Sequence, residues 1–245
     1  WRAGVAVPVA VGLLAAIAIG PCARRLEVAR DPAPPARWAD LLRWGNLRAP
    51  FAAVASKPEL AALTALTASL AVVQGCLFSF CVTYLVAEGG MAITAAGLAY
   101  ACMQGGGMLG RILIGWVADR TGDALRNMIV QAWASAALAV VWAVVPQGTG
   151  LAAIAPLAFA MGLVCASWPG LMLAEISRLA PAGRIADAAS GSTLITFCGY
   201  VAGPMLFSFG VRASGGWVVP YAAVAAQMAL VAAGLGLWAR RRRAA

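Results

Sequence analysis

Hydrophobic positions dominate the chain in seven long runs, over residues 3–21, 60–86, 92–118, 128–145, 151–173, 188–209 and 217–239. A helix of about 20 mostly apolar residues crosses a bilayer, and each run reaches roughly that length. Backbone in lipid must satisfy its own hydrogen bonds, so helix is the expected form of every run. A membrane barrel would instead show short segments of alternating polarity, and this sequence has none.

Polar positions fall between the runs, unevenly. Arg24, Arg25, Arg30, Arg37, Arg43, Arg48 and Lys57 lie between the first and second runs. Arg111, Arg120 and Arg126 surround the third connection, Arg178 and Arg184 the fifth, and Arg240, Arg241, Arg242 and Arg243 come after the last run. Only Arg2 and Arg212 belong to the other side. Positive charge marks cytoplasmic connections, so the Arg-rich side is expected in the cytoplasm. Seven helices with a cytoplasmic C-terminus put the N-terminus outside. The chain opens on Trp1 with no basic segment or cleavage site before the first run, and it reads as a piece of something longer.

The one long connection, residues 22–58, contains Pro32, Pro34, Pro35 and Pro50. Within it, RWADLLRWGNL sets Trp38, Leu41 and Leu42 at helical spacing, away from Arg37 and Asp40. That pattern suits an amphipathic helix on the membrane surface, and a solvated linker is the alternative.

Composition agrees. The chain is 62% hydrophobic and 11% charged, against about a quarter charged in soluble domains. Its net charge of +9 is accounted for by the basic connections, which leaves no basic soluble domain for nucleic acid. Six cysteines occur without a CxxC pair and there is no histidine, so no metal site or redox motif is expected. No nucleophile–base pair or cofactor loop is visible, which disfavours an enzyme. Gly105, Gly106 and Gly107 imitate a phosphate loop only in composition, because they lie inside an apolar run with no GK[ST] after them.

The third run ends in GRILIGWVADRTGD, residues 110–123. Gly110 and Gly115 leave room for a close helix neighbour, and Gly106 with Gly110 forms a small-xxx-small pair. Asp119 and Arg120 come where the helix must end, and Gly122 suits the turn. A carboxylate there is placed to meet the N-terminus of another helix.

The pattern G-R-x-x-x-G-x-x-A-D-R-x-G resembles the cytoplasmic loop signature of major facilitator superfamily transporters. Four runs come after it, which places it at the loop between the eighth and ninth of twelve helices. The seven runs then correspond to the sixth through twelfth helices, and the long basic connection to the central loop. Asp123 departs from the family pattern, which often continues with basic residues. The resemblance implies an all-α membrane fold: residues 1–21 as the sixth transmembrane helix, 22–58 as the cytoplasmic central loop, 59–239 as the C-terminal six-helix half and 240–245 as a basic tail. It implies alternating access between two halves around a midplane site. It further implies a cytoplasmic latch of Gly110, Arg111, Gly115, Asp119, Arg120 and Gly122. Asp119 would cap a helix of the other half, and Arg111 or Arg120 would pair with Glu175. The spacing of Glu175 and Arg178 equally permits a local pair.

In that family the seventh, eighth, tenth and eleventh helices line the cavity. On them the candidate substrate residues are Gln74, Phe78, Tyr84, Gln104, Ser167, Trp168, Thr193, Thr196 and Tyr200. Gln227 falls on the twelfth helix, outside the cavity. Any of these polar groups serves equally as glue between helices. No ionisable residue lies mid-run, so proton coupling would need a group supplied elsewhere. The expected function is secondary transport of a small solute. The expected partners are the bilayer and the missing N-terminal half, and no cofactor is expected. The alternative is a membrane sensor or scaffold on the same fold. Abundant Arg and Ala with Lys57 as the one lysine point to a GC-rich bacterial genome, and hence to the inner membrane.

Overall fold

The structure is a computed structural model that describes residues 2–27 and 44–244. All regular structure among the described residues is helical: α1 (Arg2–Glu27), α2 (Trp44–Ala55), α3 (Pro58–Ala87), α4 (Ile93–Thr121), α5 (Ala124–Ala143), α6 (Leu151–Cys165), α7 (Trp168–Leu179), α8 (Ile185–Ser214) and α9 (Val218–Ala244). The chain divides into two units, one holding α1 and the other α2 to α9.

Five stretches are long and apolar enough to cross a membrane: Pro58–Ala87, Ala124–Ala143, Leu151–Leu179, Ile185–Ser214 and Val218–Arg242. The chain is therefore an all-helical, multi-pass membrane protein. Of the seven expected spans, the first lies in α1, where the described apolar stretch is Ala6–Gly20, and the third falls outside this set of five. Helix α4 has the length, 29 residues, but three consecutive glycines beside Gln104, with Arg111 beyond them, dilute its apolar character.

The expected fifth run is two helices. Helix α6 stops at Cys165 and α7 starts at Trp168, with Pro169 in its first turn. Proline has no N–H and restricts the residue before it, so the ladder is interrupted here. Helix α3 also begins on a proline, where the missing N–H is not needed. Helix α4 ends because Gly122 takes a left-handed conformation with φ 66°. The next residue, Asp123, caps α5 by accepting a 3.0 Å hydrogen bond from the Arg126 backbone N–H.

In the connection before the bundle, Trp38, Leu41 and Leu42 lie outside the described residues. Helix α2, at the end of that connection, packs on α8 and α3 and buries Ala53 and Val54. The compact unit thus includes α2.

Two glycine-lined helix pairs organise the unit. Helix α4 lies against α6: a Cβ on Gly106 would overlap the Phe159 carbonyl oxygen, one on Gly110 that of Leu163, and one on Gly162 that of Met103. Helix α3 lies against α8: a Cβ on Gly75 would meet Tyr200 O at 2.7 Å, and one on Gly199 would meet Ala68 O at 2.6 Å. Small residues let backbones approach where the solvent is as apolar as the side chains. Short hydroxyl side chains then bridge α3 and α8, with Thr64 and Ser192 2.8 Å apart and Thr67 and Thr196 3.0 Å apart. Helix α9 closes on α3 through Ser69, which donates to Gln227 Oε1 at 2.7 Å.

The two ends of the bundle are chemically different. At one end Lys57 Nζ donates to Leu179 O at 2.8 Å, Arg184 donates to Ala49 O at 2.9 Å, and Arg242 pairs with Glu59. Lys57, Arg184 and Arg242, from three of the basic connections, therefore bind at one end of the bundle. At the other end Gly148 N–H donates to Gly89 O and Gln147 to Glu88, both at 3.3 Å. Beneath these loops Phe80, Tyr84, Trp142, Phe207, Trp217 and Tyr221 stack in one cluster from α3, α5, α8, α9 and the turn before α9.

Adjacent glycines give a direct test of this packing. Gly106→Ala should lower thermal stability in detergent by about 1–3 kcal/mol, because its Cβ meets main chain. Gly105→Ala, with nothing within 4 Å, should be neutral or gain up to ~1 kcal/mol from helix propensity. Equal effects would contradict the α4–α6 contact. Sidedness is tested by single cysteines at Gly89, Gln147 and Asp123 in a cysteine-free background. The first two should react with an impermeant thiol reagent on one face and the third on the opposite face.

Candidate functional site

The motif at the end of α4 separates into two parts. Arg111 and Asp119 are exposed and have no hydrogen-bond or ion-pair partner among the described residues. Gly115 has open space where a Cβ would be. These three recur every four residues, so they share one helix face. Gln104 and Met108 extend that exposed face towards the middle of α4. The opposite face carries Ala96, Ala99, Met103, Gly106 and Gly110, all buried. Gly110 therefore fills the close-packing role read from the sequence, whereas a Cβ on Gly115 would meet nothing within 4 Å among the described residues.

The second part turns inward. Gly122 and Asp123 border a cleft of about 260 Å³ together with Glu59, Glu175 and Arg178. Glu175 is only 5% exposed and accepts from Arg178 Nε at 2.9 Å. Asp123 acts electrostatically on the same guanidinium. Of the two pairings open to Glu175, the local one with Arg178 is thus the one present. Arg120 instead lies over the Trp116 ring, its Cζ 4.1 Å from the centroid, a cation–π contact on its own helix. A buried carboxylate requires such a partner as Arg178, since an unpaired charge there costs several kcal/mol.

The candidate cavity residues also divide. Gln104 is exposed, and Phe78, Thr193 and Tyr200 are half-buried. Thr193 borders a shallow hollow of about 450 Å³ on α8 with Ser190, Leu194 and Phe197. Phe78 meets the edge of Tyr100 at 5.9 Å, and Tyr200 meets Phe197 at 6.1 Å. These residues offer amide, hydroxyl and ring surfaces, which bind by hydrogen bonds and stacking.

The other candidates are occupied inside the bundle. Gln74 is 6% exposed and accepts from Trp168 Nε1 at 2.8 Å, which ties α3 to α7. Thr196 is bound to Thr67. Ser167 donates to Leu163 O and accepts from Gln131, both at 2.8 Å. Tyr84 belongs to the aromatic cluster and donates to Trp142 O at 2.9 Å. In these positions the polar groups act as ties between helices.

Two residues of this region were not singled out from the sequence. Gln131 on α5 holds Val164 O at 2.6 Å and Ser167 Oγ, across the break between α6 and α7. The lone amide in the run over residues 128–145 was its signal. Tyr100 sits one helical turn before Gln104, and that spacing was the signal for it. Among the described residues no group of three or more His, Cys, Asp and Glu gathers as metal ligands. No protein-family model, curated protein or solved structure matches this chain.

The Gln74–Trp168 bond can be measured by a double-mutant cycle. Gln74→Leu and Trp168→Phe should each cost about 1–3 kcal/mol, because each strands one buried polar group. The double variant should cost clearly less than their sum. Additive losses would show that the pair does not interact.

Proposed function

We propose that this chain is the C-terminal half, with one preceding helix, of a secondary transporter of the major facilitator type, working in a bacterial inner membrane. The observation that carries the reading is the exposed face of α4. Gln104, Arg111, Gly115 and Asp119 form a stripe of small, polar and charged residues that no helix of the α2–α9 unit covers among the described residues. Such a stripe suits a helix–helix contact, and free charges at a helix end suit a partner that supplies the opposite charge or a helix N-terminus. The N-terminal half is that partner. Asp119 docks at the N-terminus of one of its helices when the basic end is closed and releases it when that end opens. Exposed Gln104 and half-buried Tyr100, Phe78, Thr193 and Tyr200 line one wall of the solute path, and a small uncharged or weakly polar solute fits their chemistry.

A carboxylate at a helix N-terminus is worth about 0.3–1 kcal/mol when exposed and up to ~2 when partly buried. Transporter conformations differ by a few kcal/mol, so one such contact shifts their populations severalfold. In the full-length protein, Asp119→Asn should lower uptake severalfold with expression unchanged. A cysteine replacing Gln104, in a cysteine-free background, should react faster from the basic side. Uptake and reactivity both equal to the parent would refute the latch. Saturable uptake by residues 1–245 alone would refute the need for a second half.

A further inference from the structure

A separate groove runs between α5 and α9 at the basic end, with a volume of about 570 Å³. Its walls include Ile129 and Trp133 from α5 and Gly236 and Leu237 from α9. Trp133 and Leu237 are about half exposed, so the groove is open along its length. It exists because α9 is small here: a Cβ on Gly236 would only just reach Ile129 Cγ2, at 4.0 Å. An exposed apolar slot of this volume on a membrane-spanning helix pair suits an acyl chain.

The mouth has the opposite character. Arg126, in the first turn of α5, and Arg240, near the end of α9, both border it. Asp123 borders it too, but its carboxylate already accepts from the Arg126 backbone N–H and lies in the field of Arg178. Arg240 has no carboxylate partner among the described residues. Two guanidinium groups at the polar end of an apolar slot match a phosphate attached to a hydrocarbon chain. Trp133 lies seven residues beyond Arg126, about 10 Å deeper along the helix.

We propose that this groove binds one anionic phospholipid, with its phosphate between Arg126 and Arg240 and an acyl chain along Ile129, Trp133 and Gly236. The site does not depend on transport, because its walls come from α5 and α9 and none of its residues belongs to the α4 stripe.

Native mass spectrometry of the full-length protein, purified in detergent, tests it with dioleoylphosphatidylglycerol against dioleoylphosphatidylcholine. One phosphatidylglycerol should be retained with about tenfold preference, in line with two arginines near a lipid headgroup. Arg126→Gln with Arg240→Gln should remove that preference. Gly236→Leu should lower retention of both lipids by filling the slot. Arg241→Gln with Arg242→Gln removes equal charge from the same tail outside the groove and should leave the preference intact. Millimolar inorganic phosphate should not displace the lipid. Equal retention of the two lipids by the parent would overturn the proposal, as would a loss in the Arg241/Arg242 variant equal to that in the Arg126/Arg240 variant. Displacement by free phosphate would reassign the groove to a soluble anion and overturn the lipid site. If the Arg126/Arg240 variant does not fold, the parent comparison and Gly236→Leu decide the matter alone.

Discussion

Backbone-to-backbone contact is the constraint on which this bundle rests. In lipid, apolar side chains gain little by leaving their surroundings, so helices are held by close packing and hydrogen bonds. Here closeness comes from Gly106, Gly110 and Gly162 between α4 and α6, and from Gly75 and Gly199 between α3 and α8. The hydroxyl bonds depend on it. Thr64, Thr67, Ser192 and Thr196 are short side chains, and they meet only because their helices already touch. Longer reaches then bring in the remaining helices: Trp168 to Gln74 ties α7 to α3, and Gln131 to Ser167 ties α5 to the break between α6 and α7.

The bundle's ends divide the remaining tasks. At the basic end, side chains from distant connections hold backbone carbonyls and carboxylates, as Lys57 does at Leu179 and Arg184 at Ala49. At the opposite end, six aromatic rings fill the space under the loops and leave little to charge. Motion at the basic end therefore exchanges polar contacts that water can replace, whereas motion at the other end would have to open a packed aromatic cluster. Asp119, near that end, is exposed and without a partner among the described residues.

Much of this was legible in the sequence. Long apolar runs bounded by arginine required membrane helices, because nothing else satisfies the backbone in lipid. The Gly106–Gly110 spacing announced a close neighbour, and α6 is that neighbour. The unread parts have physical causes. A glycine's spacing does not say which of its faces acquires a partner, so Gly115 looked like Gly110 but stands open. Gln74, Tyr84, Ser167 and Thr196 sit on helices where a polar residue can face either a path or a neighbour, and only the packing reveals the second outcome. The break before Trp168 was signalled by Pro169, yet the apolar run continues through it, so hydropathy alone could not divide α6 from α7.

The glycine contacts carry a consequence for inheritance. At Gly162 the obstacle to a larger residue is the Met103 carbonyl oxygen, an atom that every amino acid possesses. No substitution at position 103 can make room, so the two positions cannot drift together. Homologous chains with the same packing would keep glycine at 162 and vary freely at 103. Methods that infer proximity from correlated change would then be silent at one of the closest approaches in the molecule, and would speak only for side-chain pairs such as Gln74 and Trp168.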